Sequence, residues 1–211
     1  MEIFFHKRLP STQLYLKEAL EKGELSPPVM VVADEQGDGI GSRGNRWSGQ
    51  AGDLFCSFAL ERSALPEDLP LSSASIYFGF LMKEVLADAS PDLWLKWPND
   101  LYVGERKAGG VITHLRGEVF VCGIGVNLRP RNDGYGWIPA SPDRENLLDC
   151  YISQLKTRQE WKKIFSRYRV EFENSKNYKT HVDGKETPLA NAVLNSDGSV
   201  SIEGKKVYSL R

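Results

Sequence analysis

The sequence predicts an α+β fold, with helices packed on a sheet built from hairpins and a small β-meander at the end. Three observations point there. Short β-rich runs lie a few residues apart across glycine-containing turns, which is hairpin spacing. Longer segments place apolar residues at helical intervals. After Lys176 the composition shifts to short alternating runs punctuated by Asp-Gly and Glu-Gly pairs.

Taken in order, Ser11 or Thr12 caps a first helix that runs through about Lys22 and stops at Gly23, with Leu16, Ala19 and Leu20 as its apolar face. Val29 to Ala33 reads as a short buried strand. The stretch containing Gly37, Gly39, Gly41, Gly44, Gly49 and Gly52 has little hydrophobic period and predicts a long surface loop. Leu54 to Leu60 reads as a strand. Ser72 to Ala89 is the longest helical pattern, with Ile76, Phe80, Leu81, Val85 and Leu86 on one face. Leu93 to Trp97 is a strand that Pro98 ends, because proline donates no hydrogen bond. Tyr102 to Arg106 suggests a hairpin turn. Val111–Leu115 then pairs with Glu118–Gly123 across Arg116 and Gly117, and Gly123–Leu128 continues as strand with Asn127 as its inward polar residue.

Ser141 ahead of Pro142 predicts a helix reaching about Leu155. Thr157 with Glu160 has capping-box spacing and opens an amphipathic helix carrying Trp161, Ile164, Phe165, Tyr168 and Phe172. Asp183-Gly184, Asp197-Gly198 and Glu203-Gly204 divide the final meander, which runs out to Val207 and Leu210. It is too small for its own core and is expected to dock on the main body. Residues 1–176 are thus expected to form the principal domain and 177–211 a small C-terminal β domain.

A chain of 211 residues buries roughly 70% of its unfolded surface, so it needs neither disulfide nor metal to fold. A net charge of -1 argues against a dedicated nucleic-acid or membrane-surface protein. Cys56, Cys122 and Cys150 are odd in number and far apart, as reduced thiols are. His6, His114 and His181 are too scattered for a histidine metal cluster. The first eight residues lack a signal-peptide core, and no apolar run approaches the ~20 residues of a membrane span. A cytoplasmic protein is expected.

The chemistry concentrates in three places. Lys96-Trp97-Pro98-Asn99-Asp100 packs a cation, a large ring, a fixed backbone and two oxygen-bearing side chains together. Lys107-Ala108-Gly109-Gly110 follows, its glycines removing side chains at a strand start where something else needs the space. Gly123-Ile124-Gly125-Val126-Asn127 is a strand with two such gaps. Asn99 and Asp100 offer oxygens to a hydrated Mg²⁺ or to ribose and phosphate. The loop from Gly37 to Trp47 adds glycines that let amides approach phosphate, cations at Arg43 and Arg46, and an indole that can stack on a planar ring. It is not a P-loop, since no Gly-Lys-Ser/Thr ends it.

These motifs, in this order and spacing, resemble those of biotin protein ligases. Ser11-Thr12-Gln13 resembles the family's Ser-Thr-Asn, and Gln36 to Trp47 its Gln, Gly-Arg-Gly-Arg and Trp loop. The resemblance implies a mixed, mainly antiparallel sheet of the kind seen in class II aminoacyl-tRNA synthetases, with a reduced SH3-like C-terminal piece. It implies a two-step reaction, in which biotin and ATP give biotinyl-5′-AMP and a lysine of a biotin carboxyl carrier domain then takes the biotin. On it, Lys107, Asp100 and Asn99 are catalytic. Ser11, Thr12, Gln13, Gln36, Gly39, Lys107 and Gly110 contact biotin. Arg43, Arg46, Trp47, Asn99, Asp100, Lys107 and Asn127 face the nucleotide, with Mg²⁺ near Asp100. Trp97 and Pro98 serve as scaffold. Family members often form homodimers through edge strands, and no feature of this sequence decides that point.

The sequence departs from the family pattern in the loop, where Ile40 and Ser42 stand in place of arginines. A looser closure over the adenylate is expected from that change. No winged helix-turn-helix segment precedes the motifs, so specific DNA binding is not expected. The alternatives are a lipoate or octanoate ligase of the same fold, whose motifs are not found here, and a non-catalytic biotin or nucleotide sensor.

Overall fold

The β-runs, several of them buried almost throughout, form a seven-stranded sheet with two unlike faces. In this computed structural model the described residues are 1–42, 45–139, 143–182 and 184–208. The strands are β1 (Glu2–Leu9), β2 (Val29–Gln36), β5 (Leu54–Glu61), β6 (Leu93–Lys96), β7 (Asp100–Val103), β8 (Arg106–Arg116) and β9 (Val119–Val126), in the spatial order β1-β2-β5-β9-β8-β7-β6. β1 and β2 are parallel, joined through α1 (Thr12–Glu21), and the other pairs of this sheet are antiparallel.

One face is covered by α2 (Ala74–Leu86), α3 (Arg144–Lys156) and α4 (Trp161–Ser175). There Met30, Val32, Phe58, Val111, Phe120 and Ile124 of the sheet pack with Ile76, Phe80, Tyr151, Ile164 and Tyr168 of the helices. Period-2 alternation sends the neighbouring residues Val29, Val31, Ala33, Ala59 and Val121 to the other face, where they meet Leu16 of α1. A single ten-residue helix cannot cover a seven-stranded face. The uncovered part lies over the glycines of β8 and β9.

α1 follows its predicted signals. The Ser11 hydroxyl accepts from Leu14 N, and Gly23 takes φ +70°, a conformation that costs glycine least. Elsewhere the structure corrects the expectations. Gly109 and Gly110 lie inside β8 rather than at a strand start, because pairing with β7 extends β8 back to Arg106. β9 ends at Val126, before Asn127. The glycine segment is not wholly loop, since β3 (Gly39–Ile40) and β4 (Arg46–Trp47) pair within it.

α3 is capped by Asp143, whose carboxylate accepts from Glu145 N; Ser141 and Pro142 fall outside the described residues. The capping box at Thr157 is not used. Its hydroxyl donates to Gln154 O at 2.6 Å and closes α3, after which Arg158 turns the chain at φ +49°. Asp68 caps α4 instead, its carboxylate accepting from Trp161 N at 2.9 Å and Lys162 N at 3.0 Å.

The last segment forms a hairpin, β10 (Lys179–Val182) with β11 (Lys185–Pro188), and a three-stranded sheet of β12 (Val193–Leu194), β13 (Val200–Ile202) and β14 (Lys205–Val207). The single meander expected from the turns is therefore split in two. Leu189, Ala192, Val200 and Ile202 join the same buried cluster as α2 to α4. Two indoles bind this segment through their N–H groups: Trp97 donates to Gly198 O at 2.9 Å and Trp161 to Ser196 O at 2.8 Å. Trp97 is fully buried, and the Trp97–Pro98 peptide is cis.

Candidate functional site

The open part of the sheet face holds a cleft. Its floor follows from the glycines. Gly110 and Gly125 face each other across β8 and β9, and the Trp47 ring rests on that pair. A Cβ added at Gly125 would lie 2.5 Å from Trp47 Cε2, and one at Gly110 would lie 3.6 Å from Trp47 Cζ3. Gly125 is therefore required by close approach. Gly123, two residues back on the same face, leaves its space to Gln13, whose Oε1 would sit 2.6 Å from an added Cβ.

One end of the cleft is polar and buried. Thr12 N donates to Gln36 Oε1 at 2.8 Å, and Thr12 Oγ1 donates to the same oxygen at 3.1 Å. Thr12 Oγ1 also lies 2.8 Å from Ser57 Oγ. Three side chains from α1, β2 and β5 thus form one network. Gln13 Nε2 donates to Val121 O at 3.3 Å, while its buried Oε1 has no hydrogen-bond partner among the described residues. An acceptor left in this state beside a cleft is available to a ligand donor.

The other end carries charge. Lys107 Nζ lies 2.6 Å from Asp100 Oδ1, and Lys96 Nζ 3.8 Å from Asp100 Oδ2. Lys107 also sits 5.9 Å over the Trp47 ring, and Lys96 faces the rings of Tyr102 and Tyr178 at 5.6 and 5.8 Å. Asn99 Nδ2 donates to Val111 O at 2.6 Å, while Asn99 O accepts from Val111 N at 2.9 Å, locking the Pro98 turn onto β8. Two cations beside one carboxylate leave a net positive charge at this end, suited to an anionic ligand.

Of the residues singled out in the sequence, Ser11, Thr12, Gln13, Gln36, Trp47, Asn99, Asp100, Lys107 and Gly110 line this one cleft. Four do not. Gly39 pairs with Trp47 in the short β3–β4 ladder. Arg46 is exposed and turned away, donating to Gly37 O at 3.0 Å and Asp38 Oδ1 at 2.8 Å. Asn127 is buried behind the wall, its Nδ2 donating to Gly136 O at 2.9 Å. Arg43 falls outside the described residues.

Sequence reasoning missed Cys56, Ser57, Val111, Ile112 and Ile124, which also line the cleft. Ser57 had a signal, as the one hydroxyl within the apolar run from Leu54 to Leu60. Ile40, Gly41 and Ser42 form part of the rim, so the departure from the arginine pattern falls on the lining itself. Burial pushes the Cys56 thiol up to about 12, so it stands in the wall as a neutral group. No cluster of three or more His, Cys, Asp or Glu that could hold a metal occurs among the described residues.

An open sheet face with a buried polar pocket at one end, a glycine floor and a cationic mouth defines a site for a small polar ring that carries an anionic tail. The sequence model of the biotin/lipoate A/B protein ligase family matches residues 5–130, and the chain belongs to that family. The bifunctional ligase/repressor BirA of Escherichia coli is 30% identical over 169 residues, covering 72% of this chain and 51% of that protein. The biotin--[acetyl-CoA-carboxylase] ligase of Paracoccus denitrificans is 31% identical over 116 residues, 49% of this chain and 46% of that one. The chain thus spans about half the length of the curated relatives it matches.

Among solved structures, the biotin acetyl coenzyme A carboxylase synthetase of Helicobacter pylori with bound biotinylated ATP superposes with a TM-score of 0.94 at 39% identity, over 98% of this chain and 99% of that one. The biotin protein ligase of Aquifex aeolicus in complex with biotin and ATP has a TM-score of 0.78 at 24% identity, over 100% and 96%, a likeness of fold. The mixed, mainly antiparallel sheet with its small terminal β-sheets is the architecture of these neighbours. Among the described residues no helix is long and apolar enough to cross a membrane.

Proposed function

We propose that this chain is an ATP-dependent biotin–protein ligase. One observation carries the reading: a buried Thr12–Gln36–Ser57 network and the Lys107 ammonium open onto the same glycine-floored cleft. The ureido ring of biotin is a compact group of donors and acceptors, matched to Ser11, Thr12, Gln13 and Gln36. Its carboxylate then lies toward Lys107. In the first step a carboxylate oxygen attacks the α-phosphorus of ATP, an acyl–phosphate bond forms, and pyrophosphate leaves. In the second, the amine of an acceptor lysine attacks the acyl carbon, an amide forms, and AMP leaves with the bonding pair.

Both first-step reactants are anionic, so a fixed cation that stabilises the charge gathered at the α-phosphate lowers the barrier. Lys107 supplies it, and Asp100, Lys96 and Asn99 fix where it stands. In this reading Trp47, lying over Gly110, closes the cleft between the biotin and nucleotide sides, Arg43 serves the nucleotide, and Gly39, Arg46 and Asn127, which do not line the cleft, hold the backbone around it. Asp100 is already held by two ammonium groups, so the chain's own donors do not make a resident metal site. Mg²⁺ enters only with the triphosphate, as the counter-ion of its oxygens.

Support for the acceptor comes from relatives named for acetyl-CoA carboxylase, which points to a carrier domain of a carboxylase in the cytoplasm. Residues 177–211 act as an accessory β domain beside residues 1–176. Biotin-dependent exchange of labelled pyrophosphate into ATP is the expected result and tests the reading directly. Exchange driven by lipoate or octanoate instead would move the chain to the other branch of its family, and no exchange with any acyl acid would make it a sensor.

A further inference from the structure

Arg131 does not line the cleft, yet its side chain is only 2% exposed, lies 5.7 Å over the Tyr135 ring and has three oxygen-bearing partners. Nη2 donates to Ser48 O at 3.1 Å and lies 2.8 Å from Asp133 Oδ2. Nη1 lies 3.4 Å from Asp53 Oδ2. Asp53 is itself fully buried. Its Oδ1 accepts from Leu128 N at 2.9 Å and Arg129 N at 3.1 Å, and its Oδ2 from Gln50 N at 2.7 Å. One guanidinium and one carboxylate thus join the backbone just beyond β9 to the backbone just beyond Trp47.

Desolvating such a pair is costly, and a core of similar volume does as well with apolar side chains. Its position is informative. Ser48 is the residue after Trp47, and Gly49 is pressed against the Phe55 ring with no room for a Cβ, so this arm has one path. The Trp47 ring makes no hydrogen bond of its own, since its buried Nε1 lacks a partner among the described residues, and the Lys107 ammonium over it stands 5.9 Å away. The arm's backbone must therefore set the ring's position.

We propose that Arg131 is a positioning residue. By holding Ser48 it places the Trp47 indole over the Gly110–Gly125 floor and so sets how tightly the cleft grips its ligand, while leaving the Lys107 end unchanged. The choice of biotin as ligand rests on the ligase reading above. The positioning of Trp47 does not.

The test uses the full chain with biotin as probe. Arg131→Met would strand the Asp53 carboxylate, so Arg131→Gln combined with Asp53→Asn is the main variant, with thermal unfolding as the check on folding. Its KM for biotin in pyrophosphate exchange is expected to rise about tenfold, with kcat kept within about twofold. Arg131→Lys keeps the charge but not the planar fork and should fall between that variant and wild type. Adding the same changes to Trp47→Ala should raise KM no further than Trp47→Ala alone, the sign of a shared path. Acrylamide quenching of the Trp47 fluorescence, taken as the difference from Trp47→Phe, should increase in the Arg131 variants. An unchanged KM in a folded variant, or additive effects, would overturn the proposal. If wild type shows no biotin-dependent exchange, the ligase reading fails and quenching alone decides the coupling: increased quenching retains it and unchanged quenching removes it.

Discussion

The two sides of the cleft are built in opposite ways. The sheet side, β6 to β9 with the Lys96–Asp100 turn, is held by continuous ladders and by Asn99 locked onto Val111. Among the described residues the arm side, Gly37 to Trp47, is held by a two-residue ladder, a few backbone bonds such as Gly37 N to Leu9 O and Asp38 N to Pro10 O, an exposed Arg46–Asp38 pair and one ring laid on glycine. A surface ion pair contributes at most about 1 kcal/mol. On the ligase reading, the groups that meet the reacting atoms are thus on the rigid side. The side that must admit and release a ligand is held weakly.

Lys107→Ala should test this contrast hardest. Loss of the Lys107 cation, the charge-stabilising group of the ligase reading, is expected to slow pyrophosphate exchange by roughly 10²–10³-fold, the usual size when such a fixed group is removed. The fold should keep its melting temperature, because Lys107 is part-exposed. A small rate effect would break the assignment of chemistry to the sheet side. Gly125→Ala comes next. Its methyl would enter the space of the Trp47 ring, and overpacking of this kind costs about 1–3 kcal/mol. Biotin affinity by calorimetry should fall accordingly, while the circular dichroism of the sheet is unchanged.

Ser42→Arg sharpens the arm side. It restores a cation at the rim, and the rate at which biotinyl-AMP escapes and hydrolyses without acceptor should drop by about threefold to tenfold through tighter closure. Equal escape rates would show that the arm does not govern retention. The smallest effect at neutral pH concerns β5, which pairs with β9 of the rigid side. The Cys56 thiol is raised from 9.0 to about 12 by burial. Below pH 9 it is neutral in folded and unfolded chains alike, so its contribution to stability is fully present there. Between pH 9 and about 12 only the unfolded chain ionises, and stability falls by about 1.4 kcal/mol per pH unit for this group. The raised tyrosine hydroxyl of Tyr77, pushed up to about 12 chiefly by burial, acts in the same direction. Denaturant midpoints measured from pH 7 to 11 should be flat and then decline.

Much of the site was legible because it is written in short-range chemistry. Glycines spaced by two in Gly123-Ile124-Gly125 can only clear one face of a strand, and Lys107 sits beside a second such gap. Other features left no local trace. Thr157 and Glu160 have the spacing of a capping box, but Asp68 from another part of the chain caps the helix. Arg46 reads as a loop cation, yet the geometry of the turn hands it to Asp38.

By itself the sequence determined the α+β class, the positions of the main helices and of most strands though not of β1 at Glu2–Leu9, and the set of residues gathered in the Lys96–Asp100, Lys107–Gly110 and Gly123–Gly125 runs. Those depend on period, backbone freedom and residue type, which act over a few residues. Only the tertiary structure decided that Ser57 meets Thr12, that Trp47 lies on Gly125, and that Arg131 reaches back to Ser48. Each of these is a contact between distant segments. Such contacts arise from how the sheet stacks its strands in space, an arrangement that the spacing of residues along the chain does not record.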